Sequence, residues 1–395
     1  MNENKMSVGA FFQKYTMIIA LVAVVIFFAI ATGGGSLKPG SINNLISQNG
    51  YVFVLAAGML LCILTGGNID LSVGSVVCFA AAVGCVLMDH KVNMLIAVIV
   101  MLGIGLLIGT FQGFWIAKLH VPAFIATLSG MYAFRGLSNV VLQGYRVDIT
   151  NTTFLFLFGS GRTSYIPDFI KQMTGSESSL NLTCLAIGIA ATLIYILMTV
   201  RKILVQKKLN IHQSIVGQSI TTALISAVIL FLTWQMASYR GVPMVLIWIA
   251  LVPGIYQYIT TKTAIGRHLY AVGGNEKATA LSGVKTRNVF WFAYASIGLM
   301  AGLAGILTAA RAKGIDPTYG EGYEMDAIAS CFIGGASAYG GIGKVSGMII
   351  GAVLMGVINQ GMNMVGVDSN YQKVVKGLVL LLAVVFDVLS KRQKR

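Results

Sequence analysis

Charge is what this chain has least of. Only 10% of its 395 residues are Asp, Glu, Lys or Arg, against 56% hydrophobic residues, and the mean hydropathy is +0.80. A soluble domain carries roughly 25% charged residues, so water is excluded as the main solvent. In lipid every backbone N–H and C=O must be paired within its own segment or barrel, and helices become the expected element. Acidic residues are scarcest, 13 against 28 Lys and Arg, for a net charge of +15. In a soluble protein that balance would point to nucleic acid; in a membrane protein it asks which side the cations face, and no nucleic-acid partner is expected. Cysteine is sparse too. Cys62, Cys78, Cys85, Cys184 and Cys331 lie in apolar stretches without metal-like spacing, which excludes a disulfide framework and a metal site and leaves them as small packing residues. The apolar run after the basic N-terminus lacks a small-residue cleavage site, so it reads as a retained first span.

What is present is a series of apolar stretches of near-spanning length. A crossing helix needs about 20 residues, and the pattern predicts an all-α polytopic membrane protein of about 12 transmembrane helices, with a range of 10 to 14. The stretch 326–338 is counted among them. Starting inside and alternating, most Lys and Arg fall on one face, including Arg201, Lys202, Lys207, Lys208 and the cluster from Lys262 to Arg287. The positive-inside rule makes that face cytoplasmic and puts both termini there. Arg135, near the outer end of its span, is expected to snorkel to the interface.

Glycine is plentiful, 46 residues, and much of it sits four apart: Gly105, Gly109 and Gly113, then Gly343, Gly347 and Gly351. Small residues at that spacing let helices touch in lipid, so close packing is the expectation. Each ladder follows a polar break that opens a helix, and the two run in opposite directions, as an inverted repeat requires. The chain therefore reads as one transmembrane domain over 1–395. Residues 51–142 match 289–389, the region 143–241 is an insertion with two extra spans, and 259–288 form a cytoplasmic loop. Within the insertion, Phe154 to Phe158 are expected to form a short interfacial helix.

No energy source is visible in the chain. The nearest phosphate-loop candidate, Gly340 to Lys344, has Ala338 where the first glycine is needed and Val345 where a hydroxyl must hold magnesium. ATP hydrolysis, if used, belongs to a partner, and no catalytic or metal-binding residue is assigned here. The loop near residue 270 is more informative. Asn275 is placed to cap a short helix, Glu276 suits its first turn, Ala278 and Ala280 favour it, and Gly283 ends it. Such a helix is a knob for a cleft on a cytoplasmic partner, or else a solvated loop held by anionic lipid.

The run Gly266-Arg267, Ala271-Val272-Gly273-Gly274-Asn275 and Ala278-Thr279-Ala280-Leu281-Ser282-Gly283-Val284 resembles the ATPase-contacting loop of permeases in the ribose, galactose and xylose class of ABC importers. Three further motifs are similar to the same family in the same order: Gly66-Gly67-Asn68-Ile69-Asp70-Leu71-Ser72-Val73-Gly74, Val121 to Leu128, and Gly322-Tyr323-Glu324-Met325-Asp326 with the glycine pairs after it. The two extra spans resemble the longer xylose-type and multiple-monosaccharide permeases. The resemblance implies a multi-pass protein of the bacterial inner membrane that forms a homodimer, embedded in membrane lipid. An extracytoplasmic binding protein would deliver xylose, galactose, arabinose or a similar sugar. A cytoplasmic ATPase subunit, holding ATP and Mg, would dock on Gly266, Arg267, Ala271, Gly273, Asn275, Ala278, Ala280, Ser282 and Gly283. Related permeases carry nucleosides, branched-chain amino acids or signalling molecules, and an ion-coupled secondary transporter is the rival of another class.

Polar groups inside a bilayer are functional candidates by default. Asn68, Asp70 and Ser72 either face the path or cap the next helix, and the order Asp-Leu-Ser-Val-Gly favours Asp70 as a cap. Asn359 and Asn363, with Gln360, lie along one helix and either meet cargo or bridge helices. Tyr323, Glu324 and Asp326 stand near the external mouth, either capping a helix or meeting the binding protein.

Overall fold

The computed structural model describes residues 8–159, 164–175, 178–209 and 215–392. Among them are seventeen α-helices and one pair of two-residue strands. The first group is α1 (Val8–Ala31), α2 (Pro39–Gln48), α3 (Gly50–Leu64), α4 (Val73–Asp89), α5 (Met94–Leu119) and α6 (Ala123–Leu142). Strand β1 (Val147–Asp148), short helices α7 (Thr152–Phe158) and α8 (Phe169–Thr174), and long helices α9 (Leu182–Lys208) and α10 (Ile215–Ala237) follow. Next come α11 (Val245–Lys262), α12 (Ala264–Gly274), α13 (Glu276–Leu281) and α14 (Thr286–Ala312). The chain closes with β2 (Gly314–Ile315), α15 (Tyr323–Ile333), α16 (Val345–Val365) and α17 (Ser369–Arg392). β1 and β2 pair antiparallel, Val147 opposite Ile315. They mark the far end of the bundle, and α12 with α13 marks the loop end.

Helix α3 is apolar around its circumference and all fifteen of its residues are buried. Helix α14 lies against it and buries Met300 to Ala310 without a gap. Helices α9 and α10 are as apolar as α14 but peripheral, leaving Leu193, Leu197, Leu224 and Phe231 exposed. Composition alone does not separate the two cases. In lipid no hydrophobic drive holds helices together, so the centre goes to helices whose small residues allow backbone contact. α14 supplies Gly298 and Gly302 to its seam with α5 and Gly305 to its contact with α4. A Cβ on Gly105 of α5 would overlap the carbonyl of Gly298, and one on Gly298 would overlap that of Gly105. The exposed Leu and Phe side chains of α9 and α10 face lipid tails as apolar as themselves. The chain is an all-α polytopic membrane protein.

Among the described residues five helices are long and apolar enough to cross a bilayer by length and composition, or six if α2 and α3, bent by 40° at Asn49, form one span. The expected twelve included shorter pieces. Helix α4 has 17 residues. The stretch 326–338, expected as a span, is corrected to α15, whose 11 residues cover about 16 Å, half the hydrocarbon thickness. Gly335, at φ +83, turns the chain out of the helix just after its end.

Contacts between helices repeat. α3 packs on α14; α4 packs on α14 as α15 packs on α3; α5 packs on α14 as α16 packs on α3. α4 also meets α5 and α6 as α15 meets α16 and α17. Exchanging α3 with α14, α4 with α15, α5 with α16 and α6 with α17 maps each of these contacts onto another. The segment from α7 to α10 lies outside this exchange. α9 and α10 pack on each other, with Gly188 against Thr233. Helix α7 does form, with Asn151 accepting from the Phe154 N–H, but Phe154 and Phe158 turn inward and Phe158 stacks on Trp248.

Candidate functional site

At the loop end, the Thr263 hydroxyl accepts from the Gly266 N–H and starts α12, an element not foreseen as a separate helix. Leu269 and Val272 face inward and are buried, and the Tyr270 hydroxyl donates to the Gly343 carbonyl at 2.8 Å. Asn275 stops α12 with extended backbone and caps α13, its side chain accepting from the Ala278 N–H at 3.0 Å. Gly283, at φ +89, carries the chain out of α13. The sequence reading of this short helix agrees with the structure in both cap and stop.

The nine loop residues divide in two. Gly266 and Gly273 point into the protein, while Arg267, Ala271, Ala278, Ala280, Ser282 and Gly283 are exposed and Asn275 holds the corner. Gly273 is wedged where a Cβ would overlap both the Leu64 carbonyl and the Gly341 N–H. Those two groups bond to each other at 3.0 Å. Leu64 ends α3 at the break between α3 and α4, and Gly341 lies in the break between α15 and α16, so one hydrogen bond joins these two breaks and α12 rests on it. Gly67, at φ +76, is pressed against the Ala338 carbonyl, and Gly340 against Gly66. Leu281, at 90% exposed, is the bare apolar tip of α13. Sequence reasoning passed over it, although a leucine between a helix end and a glycine in a polar loop was the available signal.

Within the bundle, Asp70 is buried and its Oδ1 accepts from the Ser72 N–H at 2.8 Å and the Ser72 hydroxyl at 2.6 Å. The Gln112 amide of α5 donates to the Ser72 hydroxyl at 2.8 Å. Asn68 donates to the Thr65 carbonyl at the same break. Asn359 and Asn363 belong elsewhere. Asn359 is buried with its Oδ1 unbonded, Gln360 donates to the Ser41 carbonyl of α2, and Asn363 accepts from Gln372 of α17. The first group is brought together, with Gln112 as an unforeseen member, and is not bonded to the second. A glutamine between Gly109 and Gly113 was the signal for it.

At the start of α15, Asp326 is wholly enclosed. One oxygen accepts from the Tyr51 hydroxyl at 2.7 Å and from Lys376 of α17 at 2.9 Å, while the other has no partner. Tyr51 stacks on Tyr323, with Glu324 beside Gly74 of α4. Of the three far-end residues, only Tyr323 and Glu324 keep partial exposure. Arg135 does not snorkel. It turns inward and donates to the Pro317 and Tyr319 carbonyls, at 3.0 and 2.7 Å, pinning the loop before α15. Further out, burial pushes the Asp168 carboxyl up, but hydrogen bonds from Thr183, Lys171 and Leu182 outweigh it and hold it below the ordinary carboxylate range.

Residues 41–384 match the family model described as the branched-chain amino acid transport system / permease component. The chain belongs to this family. It is 34% identical over 389 residues to the xylose transport system permease protein XylH of Escherichia coli K12, covering 96% of this chain and 93% of that one. The corresponding XylH of Haemophilus influenzae is 33% identical over 385 residues, covering 96% and 97%. The ribose import permease protein RbsC of Escherichia coli K12 is 34% identical over 382 residues, covering 95% and 94%. No solved structure matches. As a permease component the chain combines lipid-facing helices, two glycine-hinged breaks in direct contact, and a small exposed helix pair resting on the hydrogen bond between them. Among its described residues no three His, Cys, Asp or Glu gather into a metal-like group.

Proposed function

We propose that this permease is the membrane subunit of an ATP-binding-cassette importer for a monosaccharide in the bacterial inner membrane. Two copies would enclose the path, an extracytoplasmic binding protein would deliver the sugar at the far end, and a cytoplasmic ATPase pair holding ATP and Mg would engage α12 and α13. The observation that carries the reading is the packing of Gly273 onto the Leu64–Gly341 hydrogen bond, because a push on α12 reaches both helix breaks without an intermediary. Leu281 is the anchor offered to the ATPase cleft, since a fully exposed leucine on a polar loop gains most from being covered.

The positive-inside rule supports a cytoplasmic loop end, and an even number of crossings would put both termini on that side. The exchange of helix contacts supports an inverted repeat of 51–142 and 289–389, with 143–241 inserted. Xylose and ribose in the names of full-length relatives favour a sugar over the amino acids in the family's description. The test is uptake by the permease reconstituted with the ATPase and binding protein of its own operon, across a panel of pentoses, hexoses, nucleosides and branched-chain amino acids. Uptake of a sugar, lost in Leu281→Asp together with ATPase co-purification, is the expected result. Uptake of an amino acid or nucleoside alone would overturn the cargo, and an unaffected Leu281→Asp would overturn the docking site.

A further inference from the structure

The far end of the permease holds a cavity of about 170 Å³ between the end of α2, the start of α3, the end of α14 and the loop before α15. At ~30 Å³ per water in the liquid, that is the space of roughly six waters, enough for one small ring. The stacked Tyr51–Tyr323 pair, centroids 3.7 Å apart and 16° from parallel, supplies an aromatic wall. Ser47 and Thr308 also line it, both more than nine-tenths buried, and neither hydroxyl makes a hydrogen bond. The Thr308 hydroxyl is turned towards the Tyr323 phenol without closing a bond to it. Gln48 brings an amide and Arg311 a guanidinium to the same space.

Each unpartnered buried hydroxyl costs about 1–3 kcal/mol. Two of them on one small cavity, beside an aromatic pair and two free donors, form a surface completed by a ligand that has several hydroxyls and one apolar face. We propose that this cavity is a monosaccharide subsite inside each protomer, where a single sugar ring rests on the tyrosine pair after leaving the binding protein and its hydroxyls pair with Ser47, Thr308, Gln48 and Arg311. The lining also discriminates. It has a cation for a carboxylate, but no Asp or Glu lines it to meet an ammonium group, so a free amino acid would leave its ammonium without a carboxylate partner. The subsite rests on the importer reading above and lies apart from Asn68, Asp70, Ser72, Asn359 and Asn363.

The test combines two measurements on the full-length protein. Saturation-transfer NMR reads binding of D-xylose, D-ribose, D-galactose and L-arabinose to the purified permease, and labelled uptake of the same sugars is read in the complete reconstituted assembly. The sugar that is taken up binds the wild type, and Ser47→Ala and Thr308→Val each weaken that binding about 2- to 12-fold, the equivalent of one hydrogen bond. Thermal stability is unchanged or raised in Thr308→Val, because an isosteric methyl removes a buried unpaired hydroxyl. A merely structural role predicts lowered stability with binding intact. Uptake of a sugar that does not bind the permease, or that binds both variants as well as wild type, overturns the subsite and leaves the importer standing. Absence of uptake for every sugar by the assembly overturns both.

Discussion

Gly273 and Gly274 are neighbours with opposite surroundings, and a single methyl group tests what that means. In Gly273→Ala the new Cβ would overlap the Leu64 carbonyl and the Gly341 N–H, both backbone atoms that cannot rotate away. Overpacking of this kind costs about 1–3 kcal/mol. If the strain is relieved by parting Leu64 from Gly341, the groups left unpaired cost a further 1–3 kcal/mol or so. The total, roughly 2–6 kcal/mol, is smaller than the stability of most folded domains, about 5–15 kcal/mol, so the chain still folds. The cheapest relief is for α12 to lift off the junction, and at 1.4 kcal/mol per tenfold even 2 kcal/mol shifts the docked population by about 30-fold. In Gly274→Ala the Cβ meets nothing within 4 Å. The assay is ATP hydrolysis and sugar uptake measured side by side in the reconstituted assembly. Gly273→Ala should hydrolyse ATP while uptake falls at least tenfold, and Gly274→Ala should match wild type in both. Tight coupling in Gly273→Ala, or equal damage in both variants, refutes the idea that α12 acts through this contact.

Other outcomes follow from the packing and the charges. Gly105→Leu, which drives a side chain into the α14 backbone, should abolish a folded, detergent-stable permease, whereas Gly103→Ala, with open space around it, should leave the melting temperature within a degree or two; size-exclusion chromatography and thermal melts decide. Lys376→Met strands the enclosed Asp326 carboxylate and should destabilise the protein by about 3–5 kcal/mol, with much of the loss recovered in the double variant Asp326→Leu/Lys376→Met; a double variant no more stable than the single one would remove the pair from the account. Asp168, whose folded carboxyl is held below its unfolded value, contributes stability that is present above the unfolded value and disappears as pH falls through the folded one. The difference in melting temperature between wild type and Asp168→Asn should therefore be constant from pH 5 to 8, begin to shrink as pH falls past about 4 and keep shrinking towards the lower folded value; a difference growing towards acid pH would reverse the sign.

Local chemistry was legible from the residues alone. The Asn275 cap, the Gly283 stop, helix α7 and the glycine seam of α5 all depend on neighbours within a few positions, and the structure holds them where the pattern put them. What escaped was long-range. Hydropathy sees apolar length but not where a helix stops in the membrane, so 326–338 looked like a span although Gly334 and Gly335 already carried the break. Arg135 looked like an interfacial snorkel because its carbonyl partners lie more than 180 residues away. Separations of 50 to 275 residues hid the Tyr51–Asp326–Lys376 cluster, and Leu64, Gly273 and Gly341 likewise meet from distant parts of the chain. No alignment-free pattern pairs a carbonyl at one break with an amide at the other.

As an importer subunit, this permease would move cargo only when an ATPase pushes on α12 and α13. The direct measurement is substrate accumulation in sealed vesicles under two conditions: the chain alone with an imposed proton or sodium gradient, and the chain with its ATPase, its binding protein and ATP. Accumulation confined to the second condition is the predicted result. Accumulation against a gradient by the chain alone would contradict it.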